Sequence, residues 1–455
     1  MPWRGGLLLA WVQGAFGIGG DSVRCQFYDA AGTAQWSTPT LIAAYSRPAI
    51  IYESEDALNV MPNDSGATVT HALSVNGGGA RFTFNRVNAN GVRRWPMNLQ
   101  QVYVAPVGIF PSDYYRTISD GGNGFYMVAS AGGFGSPIYA QHFTLQGTAW
   151  GAFTTISAGG ASGRGSDWHL VRDPAGNLYV VWTSNAGDPL VSKVLPTGTP
   201  GWAAPGYVSL TTNLSFQSLP DALWYNNALW VVWNDDIPPA SNAFQYMQKV
   251  DAAGTLAWPA TGVLVNNLPA FTPYPRLAAS DNGSVMAFYV TTYSAGTGLR
   301  AQKIRPDATL AFPVNGVALH TVDPDRLASV DSAPVTQPNG SVQFFWASAG
   351  AAPTGQDVCA GRMQNAGTLL STERAAEAAG FDVFPNPATS ELRVRLPLGA
   401  TARQLRLYDA LGRPVRAYAE AGPAAALSLR GLPAGLYVLR GTLAGQEVSR
   451  RVVVQ

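Results

Sequence analysis

Six charged residues recur at intervals that follow a repeated unit: Arg47, Asp113, Asp167, Asp221, Arg276 and Arg326. Each stands within a residue or two of the same point, where an alternating apolar run begins. Carboxylates fill the middle three places and arginines the outer three. Carboxylates facing arginines across a shared opening can hold a polar ligand or a cation, and two carboxylates at a suitable separation supply the acid and base of glycoside cleavage. The plainer reading is a row of solvated strand starts. Other chemistry is sparse. His71, His142, His169 and His320 fall at unrelated repeat positions, and no pair has the spacing of metal ligands. Asp235 and Asp236 are too few oxygens for a calcium loop. There is no nucleophile elbow, phosphate loop or Cys/His pairing, so neither a cofactor nor a metal is expected.

These charges must be positioned by the repeat itself, which is 51 to 59 residues long. Its anchor is a turn: Asp29-Ala-Ala-Gly32, Asn88-Ala-Asn-Gly91, Thr144-Leu-Gln-Gly147, Pro196-Thr-Gly198, Asp251-Ala-Ala-Gly254, Arg305-Pro-Asp-Ala308 and Asn365-Ala-Gly367. Only the sixth lacks the glycine. An aromatic follows three or four residues later in most units (Trp36, Trp95, Trp150, Trp202, Trp258, Phe312). Upstream lie a strand of the type Ala301-Gln-Lys-Ile304, a Val-Val-Trp strand, and a strand ending near an Asp- or Asn-Gly turn. Four short strands per unit in seven units predict an all-β chain built as an about seven-bladed β-propeller. The first blade is incomplete, because the chain starts at its second strand.

Three repeat positions invite a functional reading. Lys193, Lys249 and Lys303 stand five residues before the anchor, where other units have Phe27, Arg86, His142 and Arg362. They form either a basic ring for anionic glycan or long stems lying over the neighbouring blade, and a mid-strand place favours the stems. Trp11, Trp182, Trp233 and Trp346 end the second strands and are expected to pack between blades rather than stack on sugars. Gln26, Gln141, Gln248 and Gln302 read as buried amides. Sialidases share the propeller shape, but their Ser-x-Asp-x-Gly-x-x-Trp turn is only approached here by Ser119-Asp-Gly-Gly and Ser280-Asp-Asn-Gly.

Composition agrees with many strands and tight turns: charged residues are 13%, with 49 Gly, 32 Pro and 13 Trp. A net charge of +1 offers no basic field for nucleic acid. No apolar run is long enough for a membrane span. Cys25 and Cys359 occupy corresponding strands of the first and last repeats, but their offset from the anchor differs by one residue. That turns the side chains to opposite faces and disfavours a bridge.

The last 75 residues change character. Phe381-Asp-Val-Phe-Pro-Asn-Pro opens them, followed by alternation at Leu392, Val394 and Leu396. Leu407-Tyr-Asp409, a turn at Gly412-Arg413, Gly435-Leu-Tyr437 and Arg-Val-Val-Val-Gln at the end complete the pattern. Period two between Gly and Pro turns predicts a small Ig-like β-sandwich over 381–455, after a propeller over 1–371 and a linker at 372–380. The order of Pro385, Asn386, Pro387, Leu407, Tyr408, Asp409, Gly412, Arg413, Gly435 and Tyr437 resembles the type A C-terminal sorting domain of type IX secretion substrates in Bacteroidota. That resemblance implies recognition by the outer-membrane export machinery and release outside the cell or anchoring on its surface. Such substrates carry a signal peptide, yet Gly6–Gln13 matches the internal strands Asn177–Ser184 and Ala228–Asn234 and is read as a strand. The chain start is therefore expected to be a fragment or mis-assigned.

The expected function is a binding or adhesion module for extracellular polysaccharide or protein. The alternatives are a glycoside hydrolase or lyase using Asp113, Asp167 or Asp221, and a structural arm of a larger surface protein.

Overall fold

A computed structural model describes residues 2–13, 21–29, 32–45, 58–63, 66–75, 79–94, 101–103, 114–122, 124–130, 134–144, 154–157, 163–203, 205–213, 216–237, 242–270, 275–293, 296–322, 328–329, 334–337, 340–349, 356–367, 369–373, 382–395, 402–409, 413–418, 425–443 and 446–454. They form two compact units, Met1–Ala349 with Met363–Thr368, and Gly350–Arg362 with Leu369–Gln455. The division passes through the seventh repeat. Most of the expected linker lies outside the described residues.

The first unit is a run of antiparallel sheets whose strands follow one another in sequence, save that Phe134–Ser136, between two strands of the third sheet, pairs with the fourth. In the fifth repeat, for example, Phe216–Tyr225, Ala228–Ile237, Asn242–Asp251 and Val263–Ala270 pair in that order. The innermost strands of the second to sixth sheets are Leu58–Asn63, Tyr114–Ser119, Gly163–Arg172, Phe216–Tyr225 and Arg276–Ala279. Each packs against the next, which is the arrangement of propeller blades about a channel. Gly6–Gln13 is a strand, as expected, and the strand before it is only Pro2–Trp3.

The core lies between sheets, because one sheet alone leaves both faces apolar. Trp168, Leu178, Val180 and Trp182 of the fourth sheet meet Tyr126, Val128, Ile138 and Ala140 of the third. Tyr179, Val181 and Val191 meet Leu229, Val231 and Trp233 of the fifth. Trp182, Trp233 and Trp346 are fully buried or nearly so, which supports packing over sugar stacking for these three; Trp11 is half-buried. Cys25 is a free buried thiol whose pKa is pushed up to about 12 by burial.

The anchor turn also joins neighbours. Indole N–H groups donate to the next repeat's turn carbonyl: Trp36 to Ala89 at 3.0 Å, Trp202 to Ala252 at 3.2 Å and Trp258 to Pro306 at 3.1 Å. The ring lies so close that a Cβ on Gly91 would stand 2.6 Å from Trp36, and one on Gly254 3.0 Å from Trp202. Both glycines also have positive φ, so the turn needs glycine twice over. The lysines use the same turns. Lys193 Nζ donates to Ala252 O at 3.0 Å, and Lys303 Nζ donates to Asn365 O at 3.0 Å and pairs with Asp281. Lys249 lies over Trp230 at 5.2 Å. The stems do cross to the neighbour, but Lys193 ends on a backbone oxygen, and Lys303 on a backbone oxygen and the Asp281 carboxylate, rather than in water. Gln26, Gln248 and Gln302 are buried and donate to Trp36, Pro259 and Pro313 carbonyls within their own repeats.

The second unit contains a sandwich of two sheets. One pairs Asp382–Phe384, Glu391–Arg395 and Ala425–Ser428; the other has Pro414–Ala417, Ala402–Tyr408, Gly435–Leu443 and Gln446–Val454 in that order. Leu392, Val394, Leu405, Leu407, Leu427, Tyr437, Leu439, Val452 and Val454 fill its core. No helix among the described residues is long and apolar enough to cross a membrane.

Candidate functional site

A single position of the innermost strand, fixed by pairing to the second strand, holds the polar residues of interest. Arg116 stands opposite Val128, His169 opposite Val181, Asp221 opposite Val232 and Arg276 opposite Phe288. In each case the residue two places further on pairs with the repeat-equivalent Tyr126, Tyr179, Trp230 or Met286. These four partners in turn pair with His142, Lys193, Lys249 and Lys303. Asn59, opposite Thr70, takes the same place in the second sheet. Five consecutive sheets thus put Asn59, Arg116, His169, Asp221 and Arg276 at one level.

Two of the six expected mouth residues, Asp221 and Arg276, belong to this ring. Arg47, Asp113 and Arg326 lie outside the described residues. Asp167 is on the strand Gly163–Arg172, two residues before His169, and only its backbone is described. Arg116 and His169 were missed by counting from the strand start. The pairing of the fourth sheet's inner strand breaks register between Gly163 and Trp168, so that count slides.

The ring has a definite electrostatic order. His169 Nδ1 lies 3.1 Å from Asp221 Oδ1, and Arg276 Nη1 lies 3.8 Å from the same oxygen. Asp221 Oδ2 accepts a 2.7 Å hydrogen bond from the Leu277 N–H of the next sheet. Asn59 makes the equivalent reach, donating to Thr117 O at 2.8 Å. The Asp221 side chain is 6% exposed, a burial that an unpartnered carboxylate would not tolerate. His169 keeps 29% of its side-chain surface open and Arg276 21%. Burial holds the imidazole below its usual value; Asp221 pulls the other way, and the charges of Arg116 and Arg276 depress it further. With Nδ1 facing a carboxylate, the neutral ring carries its proton there and leaves Nε2 basic.

The other candidates are structural. His142 Nε2 meets Asp120 Oδ2 at 2.9 Å and stacks on Tyr126, away from the ring position. Asp235 is buried and accepts from Asn213 at 3.0 Å; no group of three metal-ligating side chains exists among the described residues. Asp120 accepts the Gly122 and Gly124 N–H groups, so the turn that approximates the sialidase motif caps its own backbone.

In the tail, the signature residues act inside the fold. Asn386 Nδ2 donates to Arg451 O and its Oδ1 accepts from Val453 N, each at 2.8 Å, so one side chain imitates a strand against Gln446–Val454. Asp409 takes the Arg413 N–H at 2.9 Å and the Arg413 side chain at 2.7 Å. Leu407 and Tyr437 are core, and the Tyr437 hydroxyl donates to Pro433 O. Gly412 lies outside the described residues.

Comparison with known proteins separates the two parts. The polysaccharide lyase Uly1 shares 9% identity over 79% of this chain and 94% of its own, with a TM-score of 0.40. A polysaccharide lyase PL25 ulvan lyase bound to a glucuronate–sulfated rhamnose ligand shares 10% over 73% and 90%, with a TM-score of 0.37. An exo-1,5-α-L-arabinanase from a bovine ruminal metagenomic library shares 11% over 59% and 100%, with a TM-score of 0.30. Likenesses this distant carry no argument about activity. No curated protein matches the chain. Residues 382–455 match the family described as the secretion system C-terminal sorting domain. The chain therefore ends in a type IX C-terminal sorting domain, which directs it through that export system to the cell surface or the extracellular space.

Proposed function

We propose that the propeller is an extracellular binding module for an acidic polysaccharide, held at the ring of Asn59, Arg116, His169, Asp221 and Arg276. The observation that carries this reading is the equivalence of the five positions, all polar, with buried Trp168, Leu170, Ala222 and Leu277 beside three of them. With His169 neutral, two arginines against one carboxylate leave the ring with net positive charge, the sign that selects carboxylate or sulfate groups. The sorting tail supports a polymer outside the cell as the ligand class. The propeller is taken to end at 371, with 372–380 joining it to the sorting domain.

Retention of the full chain on immobilised polygalacturonate and on an uncharged glucan tests the reading. Salt-sensitive retention on the acidic polymer alone, weakened about tenfold or more by Arg116→Ala or Arg276→Ala, is expected. Equal retention on both, or none on either, would overturn it.

A catalytic reading has one specific observation in its favour, the His169–Asp221 pair. Two-carboxylate hydrolysis fits less well, because Asp221 is committed to Leu277 N and His169.

A further inference from the structure

We propose that the ring cleaves uronate polymers by β-elimination, with His169 as the base that removes the proton next to the sugar carboxylate. This rests on the binding reading above and adds an activity to the same residues.

The argument starts from what such chemistry requires. A proton α to a carboxylate is weakly acidic, because its removal puts further negative charge on a group already charged. A cation at that carboxylate lowers the barrier, and a base must stand at the carbon. Neither a metal nor a second carboxylate is needed. His169 has its Nδ1 directed at Asp221 Oδ1 and its ring partly open, which defines Nε2 as the basic nitrogen. Arg116 occupies the equivalent position on the preceding sheet, on the side of His169 opposite Asp221, with Arg276 beyond Asp221. Arg276 Nη1 lies 3.8 Å from the Asp221 oxygen that faces the imidazole, and the charges of both arginines hold the imidazole pKa down. In the proposed mode the uronate carboxylate meets Arg116 and its α carbon faces the imidazole.

The step balances without a co-reactant. Nε2 takes the C5 proton, and the C5–H electron pair becomes the C4=C5 double bond. The C4–O bond breaks and its electrons leave on the glycosidic oxygen, which takes up a proton in place of the one removed. No water is consumed. One product ends in an unsaturated uronate and the other in a new hydroxyl.

Asp221 is a positioning residue here. In Asp221→Asn the amide oxygen can still accept from Leu277 N, but its NH2 then faces His169 Nδ1. The ring must turn its lone pair to Nδ1 and carry its proton on Nε2, where it cannot act as base.

The test uses the full chain on polygalacturonate, alginate and hyaluronan, reading the short-wavelength ultraviolet absorbance of the conjugated C4=C5 product beside retention on each polymer. Unsaturated ends on at least one polymer are expected. Rates should fall about 10²- to 10⁴-fold in His169→Gln and Asp221→Asn, a range typical of losing a general base. The fall should persist at saturating polymer in both variants, so that weakened retention alone does not account for it. The wild-type pH profile should rise through an ionisation below the ordinary histidine value of about 6.5, and that limb should vanish in His169→Gln. Retention without product on all three polymers would overturn the elimination and leave the binding reading. Saturated reducing ends would replace it with hydrolysis. Neither retention nor product would overturn both readings.

Discussion

His169 is the residue on which the account turns, and its environment makes a stability statement as well as a chemical one. Its folded pKa lies below the unfolded value of about 6.5. The unfolded chain therefore binds more protons as the pH falls through this window. The contribution of His169 is fully present above about pH 6.5 and is lost progressively as the pH drops toward the folded pKa. Thermal unfolding between pH 5 and 8 should show that loss, and His169→Gln should flatten its share. A second residue-scale expectation concerns Ala308, which sits at φ 73° where the other anchor turns with described backbone have glycine. A Cβ in the left-handed region is strained by about 1–2 kcal/mol, partly offset by the greater unfolded-state freedom of glycine. Ala308→Gly should therefore stabilise the protein by roughly 0.5–1 kcal/mol in denaturant titration.

At the scale of the element, the anchor turn is both the end of one hairpin and the acceptor for its neighbour. Trp258 is buried, donates to Pro306 O and stacks edge-on against Trp230. Trp258→Phe keeps most of the packing and removes the donor, so a loss of about 1–3 kcal/mol is expected. In the sandwich, Asn386→Ala should speed amide exchange at Val453, whose N–H would lose its acceptor. An unchanged Val453 rate would mean that another group shields it. These turns were legible in the sequence, since Gly91, Gly254 and the following aromatics recur at fixed spacing. Arg116 and His169 were not, because the segments entering the inner strands vary in length and two inner strands slip register. The turn end is the dependable ruler, since each hairpin closes there by fixed hydrogen bonds, such as Gly254 N to Asp251 O.

At the scale of the whole molecule, repetition and tail were readable for different reasons. The blades repeat because each must bury two apolar faces, and that demand leaves Trp and Val at set intervals. The tail was readable because its signature residues are tied to backbone atoms, as Asn386 and Asp409 are. The ligand was not readable, because the ring residues differ from blade to blade: Asn, Arg, His, Asp and Arg share a place but no type.

The central claim is that ligand binds at this ring. Selective labelling of histidine gives ring resonances for His71, His142, His169 and His320, with His169 assigned by its loss in His169→Gln. The account expects oligogalacturonate to shift the His169 signal and leave that of His142 unmoved. A ligand that binds while His169 stays still, or moves His142 instead, would contradict it.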